Sequence, residues 1–410
     1  MGHKKLIVIC LIALFPLAVI LSNCRPAATK IDARGPAYAG MATCISCHKD
    51  IYASYTHTAH FFTSLPATLN NIHGSFKAGE SSFSFGNGMR LIVQRRDSGL
   101  YQAGYVNGRL TGARRLDIAI GGVKAETYLS WQGRQVFELP LSWFGSVHGW
   151  TNSPGYQPDH INFNRSVVIR CFECHSSYVS QLPVQSLLNR KTEYERNTLI
   201  YGIDCERCHG PGADHVAFHQ ANPDEKKPHY IATFKSLTRA QKLDACAVCH
   251  GGNNERFEVS AFDFKPGDTL SKFKEPQLFS NPVNVAEIDV HGNQSALLAA
   301  SKCFLMSNMD CTTCHDDVHI NTRGNTMAYT QKCLNCHNAV NHNQCKMKAV
   351  PGAALKAECI DCHMPAQASN VIAVQTATQK KAMPYMVRTH RIAIYPAEAK
   401  KIRAFIQNLH

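Results

Sequence analysis

Residues 205–215 read CERCHGPGADH, and the first five letters decide how the rest of the chain is read. The same pattern of two cysteines, two intervening residues and a histidine occurs six more times. It stands as CISCH at 44–48, CFECH at 171–175, CAVCH at 246–250, CTTCH at 311–315, CLNCH at 333–337 and CIDCH at 359–363. It accounts for 14 of the 18 cysteines and 7 of the 21 histidines in 410 residues. The steps between copies run 127, 34, 41, 65, 22 and 26 residues, too irregular for a solenoid.

Four chemistries use closely spaced cysteines. A structural zinc site takes two cysteine pairs, or one pair with distant ligands, and does not select a histidine directly after the second cysteine. A thioredoxin-like dithiol needs one copy. Disulfides alone do not select the histidine either. Covalent haem attachment needs all three residues. Two thiols reach the vinyl groups on one porphyrin edge, and the adjacent histidine supplies the proximal iron ligand. The chain is therefore expected to carry seven covalently bound haem c groups. Their thioether residues are Cys44, Cys47, Cys171, Cys174, Cys205, Cys208, Cys246, Cys249, Cys311, Cys314, Cys333, Cys336, Cys359 and Cys362. Their proximal iron ligands are His48, His175, His209, His250, His315, His337 and His363.

The N-terminus puts this chemistry outside the cytoplasm. Residues 1–24 combine a positive start (MGHKK), a 16-residue apolar run at 6–21 and the tetrapeptide LSNC, which reads as an export signal. The run is short of the about 20 residues a spanning helix wants. LSNC resembles the lipobox of bacterial lipoproteins, in which the cysteine, here Cys24, becomes the lipidated N-terminus. Asn23 departs from the small residue usual before that cysteine. An uncleaved anchor, or cleavage near Ala28, are the other readings. All three place the body in the periplasm or at the cell surface, and lipidation would hold it to a membrane.

The formal net charge of +13 invites a nucleic-acid reading. The positive residues are scattered without long basic blocks, and export argues against that partner. Two propionates on each haem would offset most of the charge.

The longest interval between motifs has a texture of its own. MRLIVQRR, LYQAGYV, RRLDIAI, AETYLSW and QVFELPLSW are strand-like runs. The pairs Asn87-Gly88, Ser98-Gly99, Asn107-Gly108, Gly121-Gly122 and Gln132-Gly133 separate them. That is a hairpin signature. Elsewhere SLTRAQKLDACAVCHGG and PAEAKKIRAFIQNL carry helical signals. The expected architecture is a mostly α and irregular multihaem cytochrome c fold around a stacked haem array, with a small inserted antiparallel β subdomain. The expected division is a first haem segment at 25–74, the β subdomain at 75–150, a six-haem region at 151–395 and a C-terminal helix at 396–410. Cys303 and Cys345 are left over beyond the leader. In an oxidising compartment they suggest a disulfide, with two unrelated thiols as the alternative.

Outside the motifs, the leader and the last residue, twelve histidines remain for the far side of seven irons. YAGMATCISCHKDIYASYTHTAH at 38–60, CERCHGPGADH, CTTCHDDVH at 311–319 and CHMP at 362–365 resemble the multihaem cytochromes c. The likeness is to the group of the tetrahaem cytochrome of ammonia oxidation and, more distantly, hydroxylamine oxidoreductase and the pentahaem nitrite reductases. It implies closely stacked haem pairs, with distal histidines reaching across from another segment. By matching motifs it implies His60, His215, His291, His319 and His390 as distal ligands, with His160 and His342 as further choices. His57, His73, His148, His219 and His229 are in reserve. Two departures point away from an enzyme. No motif replaces its histidine with lysine, as the catalytic haem site of the nitrite reductases does. Nor does anything mark Tyr385 or Tyr395 as the cross-linking tyrosine of the eight-haem hydroxylamine oxidoreductases.

Three functions are then open. The first is an extracytoplasmic electron carrier between a membrane redox complex, such as a quinol-oxidising one, and another redox protein or cytochrome. The second is a reductase or oxidase of a small nitrogen or sulfur compound, which needs one haem with an open face. The third, compatible with the first, is a subunit of a redox assembly that docks through the β subdomain. The uniform motifs and ample histidine favour the carrier.

Overall fold

The computed structural model describes residues 31–407 apart from 158, 184–190, 253–255, 276–283, 342–344, 346–358, 378 and 380. The expected export signal with Cys24, and His342, lie outside the described residues.

Strands form where the sequence alternates. In chain order they are β1 (Ser64–Pro66), β2 (Ser82–Gly86), β3 (Met89–Arg96), β4 (Gly99–Val106), β5 (Arg109–Arg115), β6 (Ile118–Ile120), β7 (Ala125–Gln132), β8 (Gln135–Glu138), β9 (Leu141–Phe144) and β10 (Gly149–Asn152). β11 (Arg165–Ser166) follows after a loop. Asn87 and Asn107 adopt φ of 50° and 49°, followed by Gly88 at 73° and Gly108 at 79°. Successive left-handed residues make the tight turns that match strand twist, so these pairs close the β2–β3 and β4–β5 hairpins.

Two antiparallel sheets result. One has the order β2-β3-β4-β5; the other runs β1-β6-β7-β8-β11, with β9 on β7 and β10 on β9. The β3–β4 register is unbroken from Met89↔Val106 to Arg96↔Gly99. Residues two apart share a face, so Leu91 and Val93 both point inward. With Phe83 and Leu100 they meet Tyr128, Leu139, Leu141 and Trp150 of the other sheet in one core. Burying each such side chain contributes about 1.5–3 kcal/mol. Gln102 ties the layers together: its Nε2 donates to the Leu141 carbonyl at 2.8 Å, and its Oε1 accepts from the Leu141 amide at 2.9 Å. Glu126, fully buried, is held by His73 Nδ1 at 2.6 Å and by the Tyr128 hydroxyl.

A second core carries the fold into the motif region. Phe172, inside the second motif, packs with Ile118, Trp131, Val136 and Tyr194. Beyond it, β12 (Ser176–Gln181) pairs with β13 (Tyr194–Tyr201), and near the C-terminus β14 (Ala366–Val374) pairs with β15 (Met383–Arg388). Among the described residues the α-helices are short, the longest being Arg239–His250 and Pro396–Gln407 at 12 residues each.

The expectation of a mostly α fold is therefore corrected: the described residues hold fifteen strands, and strand is about as abundant as helix. Most motif helices end within one or two turns. Hairpins stand beside the second, third and seventh motifs, where an irregular or helical chain was expected.

Candidate haem-ligating histidine pairs

Each motif occupies about one helical turn. The His48 amide donates to the Cys44 carbonyl at 2.9 Å, His315 to Cys311 at 2.9 Å and His337 to Cys333 at 2.8 Å. Positions i, i+3 and i+4 share a helix face, so both thiols and the imidazole leave on the same side.

The third motif is anchored from three directions. Asp204 caps its helix by accepting the Arg207 amide at 2.9 Å. Glu206, between its two cysteines, accepts the amides of Ala39 at 2.8 Å, Gly40 at 2.9 Å and Gly212 at 2.8 Å. Arg34 binds Asp32 at 2.8 Å, Asp204 at 2.7 Å and Glu206 at 2.9 Å in a buried cluster. The variable positions of CERCH carried no signal for this role.

The motifs also touch one another. Helix Met41–Ile45 packs on Cys205–His209, Ile169–His175 on Arg239–His250, Arg239–His250 on the turn Cys311–Thr313, and Thr326–Leu334 on Cys359–His363. At three of these contacts thiols from different motifs interact directly: Cys44 with Cys205, Cys174 with Cys249, and Cys246 with Cys311. Their porphyrin-bearing edges are neighbours.

Four motif histidines face a histidine that no motif contains. His48 and His215 have ring centroids 6.4 Å apart, His60 and His250 6.2 Å, His209 and His319 5.9 Å, and His315 and His390 6.5 Å. Metal–imidazole bonds of about 2 Å, plus the ring radii, put two ligands of one metal roughly 6 Å apart. Distance alone would also suit aromatic pairing. The one-to-one match of motif with non-motif histidine favours ligation. His175 lies within electrostatic reach of His291: burial first, and then that neighbour, lower its pKa to about 4.

The ring nitrogens are set for this task. His209 Nδ1 bonds the Ala232 carbonyl at 2.9 Å, His215 Nδ1 the His229 carbonyl at 2.8 Å, and His363 Nδ1 the Ala393 carbonyl at 2.9 Å. A carbonyl only accepts, so Nδ1 carries the proton and Nε2 keeps its lone pair for a metal. His319 Nδ1 is held likewise by Asp317 at 2.9 Å. Burial also pushes His60 and His390 down to about 4, keeping the neutral form that ligates.

The surroundings fit a porphyrin. Large apolar side chains stay exposed close to the motifs: Ile51, Val168, Leu305, Val318, Ile320 and Ile394. Arg207 Nε and Arg391 Nε are buried without a partner. Each would suit a propionate carboxylate.

The remaining choices separate. His160 is exposed and bonded to its neighbour Asp159 at 2.5 Å. Among the reserves, His57 and His148 are exposed, and His73 is held by Glu126. Tyr385 packs on Phe144, and Tyr395 donates to the Arg391 carbonyl. In the structure Cys303 and Cys345 stand as free thiols, as the motif cysteines do. Cys303 lies in the electrostatic reach of Cys336, and Cys345 is exposed.

Comparison with known proteins agrees with this chemistry. A family model for cytochrome c554 and c-prime matches residues 157–210, which carry the second and third motifs. No curated protein matches the chain. The crystal structure of the outer cell wall cytochrome OcwA is similar in fold, with a TM-score of 0.51 and 14% identity over 91% of this chain and 86% of that one. The two likenesses support a multihaem c-type cytochrome with covalently bound haem c. Neither bears on the hydroxylamine oxidoreductase resemblance.

Proposed function

We propose that the chain is a heptahaem c-type cytochrome that carries electrons outside the cytoplasm, between a membrane redox complex and a second redox partner. The observation that carries this reading is the set of four motif histidines, each facing a histidine from a distant segment at 5.9–6.5 Å. When bound, each haem supplies a one-electron iron couple. The chain's own work would be to hold iron between two neutral imidazoles at each of these four pairs. It also keeps the attachment edges of the first and third, second and fourth, and fourth and fifth motifs adjacent, and surrounds them with apolar side chains and a few buried guanidinium groups. No side chain is required to move a proton.

The extracytoplasmic location is supported by the export signal, and the similar structure is itself described as an outer cell wall protein. Among the described residues no helix is long and apolar enough to cross a membrane, so attachment would fall to the N-terminal leader and Cys24.

Electron paramagnetic resonance of the oxidised protein, with the haem count fixed by mass, tests the proposal. Seven haems with low-spin signals only are expected, and His390→Ala should convert one haem, that of the fifth motif, to high spin. The second reading, a reductase or oxidase, would be favoured by a native high-spin signal worth one haem that shifts with nitrite, hydroxylamine or cyanide. His363 is where such an open face would be sought, because among the described residues no histidine ring faces it.

A further inference from the structure

The sheet β2-β3-β4-β5 has an outer face that the histidine pairs do not use. Residues 82–115, which form the sheet, hold six arginines, no lysine and one acid, Asp97. Residues opposite one another on paired strands share a face, so the register fixes the layout. One row across the sheet is Arg90, Tyr105 and Leu110, and a second is Gln94, Tyr101 and Arg115. Ile92, Ala103 and Ala113 lie between them. Arg96 is two residues past Gln94 and shares the face. From Arg90 to Arg96 the strand runs about 20 Å, and β3 and β5 lie about 10 Å apart.

These charges are held in place but not neutralised. Arg90 Nη2 donates to the Ser82 hydroxyl at 3.1 Å, and the Arg96 guanidinium lies 4.7 Å from the Tyr101 ring centroid. Both partners are neutral. Among the described residues Arg115 alone of the six makes an ion pair, 3.6 Å from Asp117, and that carboxylate also takes Arg196 at 3.3 Å. Leu110 is 54% exposed beside these charges. An uncompensated basic face attracts an anionic counterpart.

The place of the face in the fold selects that counterpart. In the neighbouring sheet Ala119 and Tyr128 meet the four-stranded sheet, while Ile118, Leu129 and Trp131 on the opposite side meet Phe172 of the second motif. The arginine face is therefore a whole sheet removed from that motif, and stacked sheets stand about 10 Å apart. A protein that exchanges electrons gains nothing by docking so far from a motif. We propose that this face seats the protein on an anionic phospholipid surface. The arginine fork matches phosphate oxygens. Tyrosine suits the headgroup level, and Leu110 adds apolar burial. The inference stands on the sheet alone and goes beyond the carrier reading, whose failure would leave it untouched.

The test uses the haem-loaded full chain, sedimented with vesicles of phosphatidylcholine or of equal parts phosphatidylcholine and phosphatidylglycerol. Any contribution of the leader enters both affinities, so their ratio reads the charged face. The ratio should favour phosphatidylglycerol and fall as salt is added. Arg90→Gln, Arg96→Gln and Arg115→Gln should each lower it about fivefold, and the triple variant about a hundredfold. Arginine-to-lysine changes at the same three positions should keep most of it, which separates lost charge from lost folding. Lys401→Gln, on the exposed C-terminal helix, removes the same charge and should leave the ratio unchanged. A ratio near one in the parent overturns the proposal, as does a triple glutamine variant that keeps the parent ratio. Should the parent ignore phosphatidylglycerol while an immobilised acidic polypeptide retains it through these arginines, the face belongs to a protein partner and the proposal is likewise overturned.

Discussion

Among the described residues between 83 and 194, twenty-two apolar side chains are buried and three large ones are exposed. Among the described residues after 280, three are buried and ten large ones are exposed. The first region makes its interior from its own Phe, Leu, Val, Tyr and Trp. The second has apolar side chains but does not bring them to one another. Four of its histidines, His291, His315, His319 and His390, belong to the set described above. One stretch of chain folds around side chains; the other is arranged around something it must acquire.

The sharpest way to break this comparison is to withhold haem. Expressed without haem attachment, the chain should lose the region beyond residue 280 to limited proteolysis, while the β body survives as a fragment identifiable by mass, because cofactor binding is folding free energy where few apolar side chains are buried against one another. Equal digestion of both regions would refute it. Next in size, Leu141→Ala removes a fully buried side chain from the β core and should cost about 2–5 kcal/mol in denaturant unfolding, with the haem spectrum unchanged. A spectral change would mean that the two regions are one cooperative unit.

Glu138 offers a pH-dependent version. Burial pushes its carboxyl up to about 7, against the nearby Arg165. The folded protein then holds a proton that the unfolded chain releases between pH 4.5 and 7. Stability of the β body should therefore fall as pH rises through that window. Glu138→Gln should flatten the fall and gain roughly 2 kcal/mol at pH 8. Unaltered pH dependence in the variant would discard the assignment. The smallest effect belongs to Thr238, which caps the helix carrying the fourth motif and exchanges hydrogen bonds with Gln241. Thr238→Ala should cost about 1 kcal/mol locally, read as faster amide exchange in Arg239–His250 with the β core unaffected.

The two regions were also unequally legible. The β body announced itself through alternation and the Asn87-Gly88 and Asn107-Gly108 pairs, since turn chemistry is local. Motif residues were legible because attachment needs fixed spacing. The partner of each motif histidine was not, because His60 answers to His250 and His215 to His48, and no local rule carries that information. The hairpins β12–β13 and β14–β15 were missed because their strands lie beside motifs whose helical turns dominated the reading. Glu206 and Arg34 were missed because one sits in a free position of its motif and the other in a segment with no motif at all.

The facing rings have a mechanical consequence. Suppose three of them, His48 with His215, His209 with His319 and His315 with His390, are bridged through iron as proposed. A path from residue 48 to residue 390 then needs only the six residues from 209 to 215 and the four from 315 to 319, besides the three bridges. Ten residues reach about 35 Å when fully extended. A chain pulled from its ends would therefore come taut almost at once, with the load borne by metal–nitrogen bonds rather than by packing.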